Sequence, residues 1–264
     1  MTKHAQILAL SLSLSLSLVL AAVSCTRNPE AAIFLTFDDG AVNDWFALAD
    51  SLQDIDYKAT YYVTLYHEMD SLKKSKLKEL YERGHEIGNH SYDHTVITSY
   101  VKKGMDVYLK EQIFPLQQLL AANGYAVKHF AYPYGIDMPG SDTVLLKHFK
   151  TVRKVAYTHG YPLDQHNVSL FSGNTPESSV LWGAGIDKHY QIREADLIKA
   201  LDVCAKEKKS LLLLAHYVGI DSTNEWQTDL SMLIRVLRYA HKQGLKFKTV
   251  SELDVENPYY LGSQ

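Results

Sequence analysis

Two adjacent carboxylates, Asp38 and Asp39, stand between Thr36-Phe37 and Gly40, two histidines, His90 and His94, lie four residues apart, and a third, His216, ends a run of leucines. Each has an ordinary structural explanation. Asp-Asp-Gly is turn chemistry, a lone His can be a hydrogen-bonded core residue, and 12 His in 264 residues give about half a pair at spacing four by chance. Taken together they form a chemical set. Asp39 offers an oxygen and His90 and His94 two nitrogens, a three-ligand group that leaves a divalent metal open to water. Such an ion makes water a strong nucleophile near neutral pH.

That set works only if the fold brings residues 38 and 216 together. Short apolar runs at 32–37, 59–63, 85–88, 127–132, 152–157, 180–182, 211–215 and 247–250 read as strands. Helical periodicity fills the intervals: Trp45, Phe46, Ala49 and Leu52 share one face, as do Leu197, Ile198, Leu201, Cys204 and Ala205, and Leu230, Leu233, Ile234 and Leu237. The segment 100–123 reads as one long helix, and Gly84, Gly124 and Gly244 stand where helices must reverse. The unbroken run 211–215 suits a parallel strand covered on both faces. Alternation of strand and helix therefore predicts an α/β fold with a parallel sheet curled into a barrel, whose active residues gather at the carboxyl ends of its strands. Those ends carry Asp38-Asp39, then Asn89 to His94, then Tyr132-Pro133-Tyr134-Gly135, and His216. Residues 158–190, rich in Gly, Pro and His, read as a long irregular stretch of the kind that is usually functional. Lys73, Lys74, Lys76 and Lys78 read as a solvated helix face.

Composition narrows the partners. A net charge of −3 with 46% hydrophobic residues excludes a disordered chain, and the missing basic excess argues against nucleic acid. Two cysteines cannot build a disulfide framework or a Cys-rich zinc module. Cys204 sits on a buried helix stripe and Cys25 near the terminus, so neither is a good nucleophile.

Residues 1–24 carry Lys3, no acidic residue, an apolar run from Ile7 to Val23 and then small residues, which reads as an export signal. The run is short for a permanent membrane span. Ala22-Val23-Ser24-Cys25 admits ordinary cleavage, or a bacterial lipobox with Cys25 lipidated despite Ala22 standing where Leu is usual. The chain thus divides into a signal (1–24), Cys25 and a linker (25–31), and one domain (32–264) working outside the cytoplasm in the bacterial periplasm or at the cell surface.

From about Ile33 to Leu253 the chain resembles the polysaccharide deacetylases with the NodB-homology domain, carbohydrate esterase family 4. Thr36-Phe37-Asp38-Asp39-Gly40 looks like the family's first motif and His90-Ser91-x-x-His94 like its second. The resemblance implies a distorted (β/α) barrel of about seven parallel strands. It also implies Asp38 as general base, Asp39, His90 and His94 as ligands of zinc (cobalt or nickel accepting the same donors), and His216 as general acid. Tyr134, with Pro133 before it, would offer its backbone N–H to the oxyanion. Two departures stand out. Ala131 occupies the place of the family's Arg, for which Arg153 on another strand is the candidate substitute. Asp187 is the acidic candidate to orient His216, in surroundings, Trp182 to Asp187, that depart from the family's pattern.

The expected function is an exported, metal-dependent hydrolysis of N-acetyl groups on an envelope glycan. The alternatives are an O-acetyl esterase or other amide hydrolase on the same metal, and a glycan-binding protein without catalysis. Tyr62, Tyr66, Tyr132, Tyr134 and Tyr217, near motif ends, offer rings for sugar faces or for core packing. No nucleic acid is expected as partner, a membrane only through Cys25, and a monomer is the default state.

Overall fold

The computed structural model describes residues 30–157, 163–165, 169–173, 175–220 and 223–262. The expected signal and Cys25 lie outside these residues. Strand β1 (Ala32–Asp39) is buried along its whole length up to Asp39, as an apolar run with both faces covered must be. Beside it come β2 (Thr60–Val63), β3 (Glu86–Asn89), β4 (His129–Ala131) and β5 (Thr151–Ala156), all parallel. After β6 (Leu170–Ser172) come β7 (Val180–Gly185) and β8 (Lys209–Ala215), and β8 pairs back onto β1 from Ile33↔Leu211 to Phe37↔Ala215. The result is a closed ring of seven parallel strands, β1, β2, β3, β4, β5, β7 and β8. Helices, among them α1 (Val42–Ser51), α2 (Ser71–Glu82), Glu194–Glu207 and Leu230–Lys242, pack their apolar faces outside it.

The ring is distorted where β7 meets β8. They pair only at Ala184↔Leu213 and Gly185↔Leu214, and below this β6 lies antiparallel along β8, Leu170 opposite Leu211. The stretch 158–190 is therefore less irregular than expected. It contains β6 and a six-residue β7 in place of the predicted 180–182, extended by Gly183, Ala184 and Gly185, whose small side chains hide the strand pattern. The predicted helix 100–123 is also broken. Gly104, at φ 87°, starts a short helix Met105–Tyr108, a wide turn Leu109–Ile113 follows, and a second helix runs Phe114–Ala122. Pro115, at the start of that second helix, has no N–H to continue the preceding ladder. The predicted strand 247–250 shortens to Lys246–Phe247, because Thr249 and Glu252 form a reciprocal cap that turns Val250–Glu252 into a 3₁₀ turn.

That turn seals the lower end of the ring. Ser251 hydrogen-bonds Glu86 through its hydroxyl and, at 3.0 Å, through its N–H, and Thr60 Oγ1 donates to Glu86 Oε2 at 2.9 Å. His129, fully buried, sits between Thr151 Oγ1 (2.7 Å) and Ser251 Oγ (3.0 Å), and burial lowers its pKa. The opposite, carboxyl end is left for chemistry.

Candidate active site

Asp38 and Asp39 are the last residues of β1, and their neighbours on the rim follow from parallel register: β2 brings Val63 beside Asp39, and β3 runs straight into His90. A carboxylate oxygen of Asp39 and one ring nitrogen each of His90 and His94 lie within 4.8 Å of one another, and among the described residues no other His, Cys, Asp or Glu trio converges so. His94 Nε2 is 3.2 Å and His90 Nε2 3.5 Å from Asp39 Oδ1. His90 Nδ1 donates to the Ala131 carbonyl at 2.9 Å, which fixes the tautomer and turns the Nε2 lone pair toward Asp39.

Asp39 Oδ1 is buried and accepts no hydrogen bond. An orphaned carboxylate oxygen facing two imidazole nitrogens is what a divalent cation satisfies, so these three residues fit the metal that the sequence implies. Burial pushes the Asp39 carboxyl up, but the neighbouring imidazoles of His90, His216 and His94 outweigh that and hold it well below the usual carboxylate range. The local backbone is strained to make this geometry. Asp39 (φ 79°), Ser91 (φ 65°), His94 (φ 59°) and Tyr134 (φ 61°) all occupy the left-handed region, at roughly 1 kcal/mol or more each.

Behind the cluster, Arg153 Nη2 donates to Asp38 Oδ1; both side chains are buried. Arg153 is the register partner of Ala131 on the adjacent strand, so the two side chains point to the same side of the sheet, into the ring. The guanidinium therefore reaches Asp38 from one strand further round. Its ring-side neighbours are Tyr62, with the guanidinium carbon 5.1 Å from the ring centroid, and Gly183, where an added Cβ would meet Arg153 Cδ at 3.1 Å. Arg153, the candidate substitute for an Arg at position 131, thus contacts Asp38.

His216 follows β8, and its Nδ1 bonds Asp187 Oδ2 at 2.6 Å. Asp187, fully buried two residues past β7, also accepts from the His216 N–H at 3.2 Å and from Thr228 Oγ1 at 2.9 Å. Burial lowers the His216 pKa, but the Asp187 bond and charge, with Asp38 and Asp39, outweigh this, and the net direction is up. For Asp187 burial dominates and its pKa is raised, against the pull of His216. Trp45 Nε1 donates to the His216 carbonyl at 2.9 Å, anchoring the turn to α1.

Tyr134 lies in the tight turn Pro133–Gly135, its ring 4.6 Å from that of His94. The two readings of the five tyrosines, sugar faces or core packing, divide here. Tyr62, Tyr66 and Tyr132 are buried core residues, whereas Tyr134 (57% exposed) and Tyr217 (39%) stand on the rim. A residue missed in the sequence joins them. Trp226, 42% exposed, lies 5.3 Å from the His216 ring and stacks on His189 at 4.3 Å. It is placed by a short parallel pair, β9 (Tyr217–Gly219) with β10 (Gln227–Asp229), too short to leave a periodic signal. Beside the three-donor cluster a cavity of about 340 Å³ is lined by Asp39, His94, Glu68, Lys73 and Tyr217.

Similarities to known proteins extend over different lengths of the chain. Over 73 residues, 25% of this chain and 17% of the other, it is 36% identical to a chitin disaccharide deacetylase of Vibrio alginolyticus. Over 108 residues, 40% of this chain and 37% of the other, it is 33% identical to a peptidoglycan-N-acetylglucosamine deacetylase of Bacillus cereus. The matches thus span well under half of either relative's length. In fold it is similar to the Xyl-CE4 domain of a multidomain xylanase from the hindgut metagenome of Trinervitermes trinervoides, with a TM-score of 0.53 at 20% identity over 85% of this chain and 89% of that one. The model of the polysaccharide deacetylase family matches residues 26–161, more than half of the 264 residues, and includes Asp38, Asp39, His90 and His94. With that match and the seven-stranded ring beneath it, the chain belongs to the polysaccharide deacetylase family.

Proposed function

We propose that the chain is an exported, metal-dependent deacetylase that hydrolyses N-acetyl groups of an envelope glycan. The observation that carries this reading is the pair of differently held groups flanking one three-donor cluster: a carboxylate, Asp38, fixed by Arg153, and an imidazole, His216, fixed by Asp187. Hydrolysis of an acetamide needs an activated water, a partner for the oxyanion and a proton for a poor amine leaving group. A divalent cation held by Asp39, His90 and His94 would supply Lewis-acid activation of water and carbonyl, and the Asp/His/His set suits zinc, with cobalt and nickel accepting the same donors. Asp38 takes a proton from the attacking water. The Tyr134 N–H, presented by the turn after β4, donates to the oxyanion. His216, whose cationic form Asp187 favours, gives its proton to the nitrogen as the C–N bond breaks, releasing acetate and a free amine. Arg153 holds Asp38 in place throughout.

Support for a glycan comes from the rim aromatics Tyr134, Tyr217 and Trp226 and from relatives named for chitin and peptidoglycan. Support for export comes from the apolar run before Cys25, which we read as the lipidated first residue at the bacterial envelope; the mass of the mature N-terminus tests it. The activity is tested by acetate release from N-acetylglucosamine oligomers beside matched O-acetyl substrates. Release from the N-acetyl series that Asp39→Ala abolishes together with bound metal is the expected result. A fully active Asp39→Ala, or release from O-acetyl substrates alone, ends the proposal.

A further inference from the structure

Tyr134 is held on both sides by three consecutive residues of β5. The Tyr132 N–H donates to the Arg153 carbonyl at 3.0 Å. Gly135, at φ 68°, lies so close to Val155 that an added Cβ would come within 2.4 Å of its Cγ2. Between these two residues, Lys154 points to the other face of the sheet. Its buried ammonium lies 2.5 Å from Asp137 Oδ2 and 2.7 Å from Asp142 Oδ2. Both carboxylates belong to the segment that follows Tyr134, and Asp142 in turn accepts from Tyr132 Oη at 2.7 Å. Ser141 Oγ completes the knot, 2.9 Å from Tyr132 Oη and accepting from the Met138 N–H at 3.2 Å. The Lys154 ammonium also sits 5.8 Å from the Tyr132 ring centroid and 5.5 Å from that of Trp182, its register partner on β7.

We infer that Lys154, clasping Asp137 and Asp142, is a positioning residue that fixes the Tyr134 backbone N–H at the oxyanion. The inference rests on the deacetylase reading above. The segment needs such a clasp: Tyr134 is left-handed, a conformation that relaxes unless its surroundings impose it. A desolvated lysine between two carboxylates is a stiff tie, because releasing either partner leaves charge in a partly buried place. A donor displaced by a fraction of an ångström loses much of its hold on the transition state while ground-state binding barely changes.

The test is Lys154→Met beside Lys154→Arg, whose fork can span both carboxylates. In Lys154→Met, kcat for acetate release should fall about 10- to 100-fold, up to the lower end of the roughly 100- to 1,000-fold cost of losing one oxyanion donor outright. KM and bound metal should stay within about twofold, and Lys154→Arg should recover most of the rate. Inhibition by a tetrahedral phosphonate analogue of the acetamide should weaken by the same factor as kcat/KM, since it borrows the same N–H. A wild-type kcat in Lys154→Met overturns the inference, as does a loss that appears equally in bound metal or in Lys154→Arg. No acetate from the wild-type chain would instead remove the deacetylase reading, and this one with it.

Discussion

Ala131 and Arg153 face each other in register across β4 and β5, and the guanidinium that bonds Asp38 comes from the second of the two. The contact that the family resemblance leads one to expect from position 131 is made here from the neighbouring strand. Removing one partner of a buried ion pair leaves the other charge uncompensated, at a cost of about 3–5 kcal/mol.

Arg153→Met is therefore expected to lose about that much stability in denaturant titration together with nearly all acetate release. Because both side chains face the ring interior, Ala131→Arg in the Arg153→Ala background should recover at least about tenfold of the lost rate, as relocation of one hydrogen-bonding group predicts. A double variant no more active than Arg153→Ala would show that the guanidinium's exact origin matters more than its reach.

Asp187→Asn should change how the enzyme responds to pH. His216 must be protonated to act as the acid, and Asp187 is the main cause raising its pKa above the ordinary value. Activity is present below the raised pKa and falls as pH rises through it. Without the carboxylate that fall moves to lower pH, and the rate drops about 10- to 100-fold. Profiles of kcat/KM against pH check this; an unmoved alkaline limb would sink the assignment of His216.

Stripping the protein with chelator should abolish acetate release, and zinc, cobalt or nickel should restore it to differing degrees. A cation that binds only the folded state at about 100 times its Kd adds roughly 2.7 kcal/mol, or about 5 to 10 °C in melting temperature for a chain of this size. His90→Ala and His94→Ala should lose both the thermal shift and the activity, as read by calorimetry and elemental analysis.

Trp226→Ala removes an indole beside His216 without touching the three-donor cluster. An aromatic face is worth about 0.5–1.5 kcal/mol, so KM for N-acetylated oligomers should rise about 2- to 10-fold with bound metal unchanged. An unaltered KM across chain lengths would mean that the ring serves only to pack His189.

Much of this was legible in the residues because rare types carried it. Asp39, His90 and His94 stand out by type and spacing, and β1 and β8 by unbroken apolar runs. Strand β7 looks shorter in the sequence than it is because Gly183 and Gly185 give no periodic signal. They are needed where Arg153 and the Tyr190 ring fill the space a Cβ would take. Tyr62, Tyr66 and Tyr132 show the opposite problem. A tyrosine near a motif has the same letter whether it faces a sugar or the core, and only packing decides. Trp226 depends on the β9 and β10 pair and a stack on His189, neither of which local sequence encodes.

The seam between β1 and β8 divides the machinery by order of assembly. Asp39, His90 and His94 come from β1 and the end of β3, whereas Asp187 and His216 come late in the chain, after β7 and β8, and the pairing of β8 onto β1, up to Phe37 with Ala215, sets the two groups side by side. A chain caught with that seam open would capture a cation yet hydrolyse nothing. During refolding, cation capture should precede acetate release, and the first turnover should coincide with exchange protection of the Leu213 and Leu214 amides.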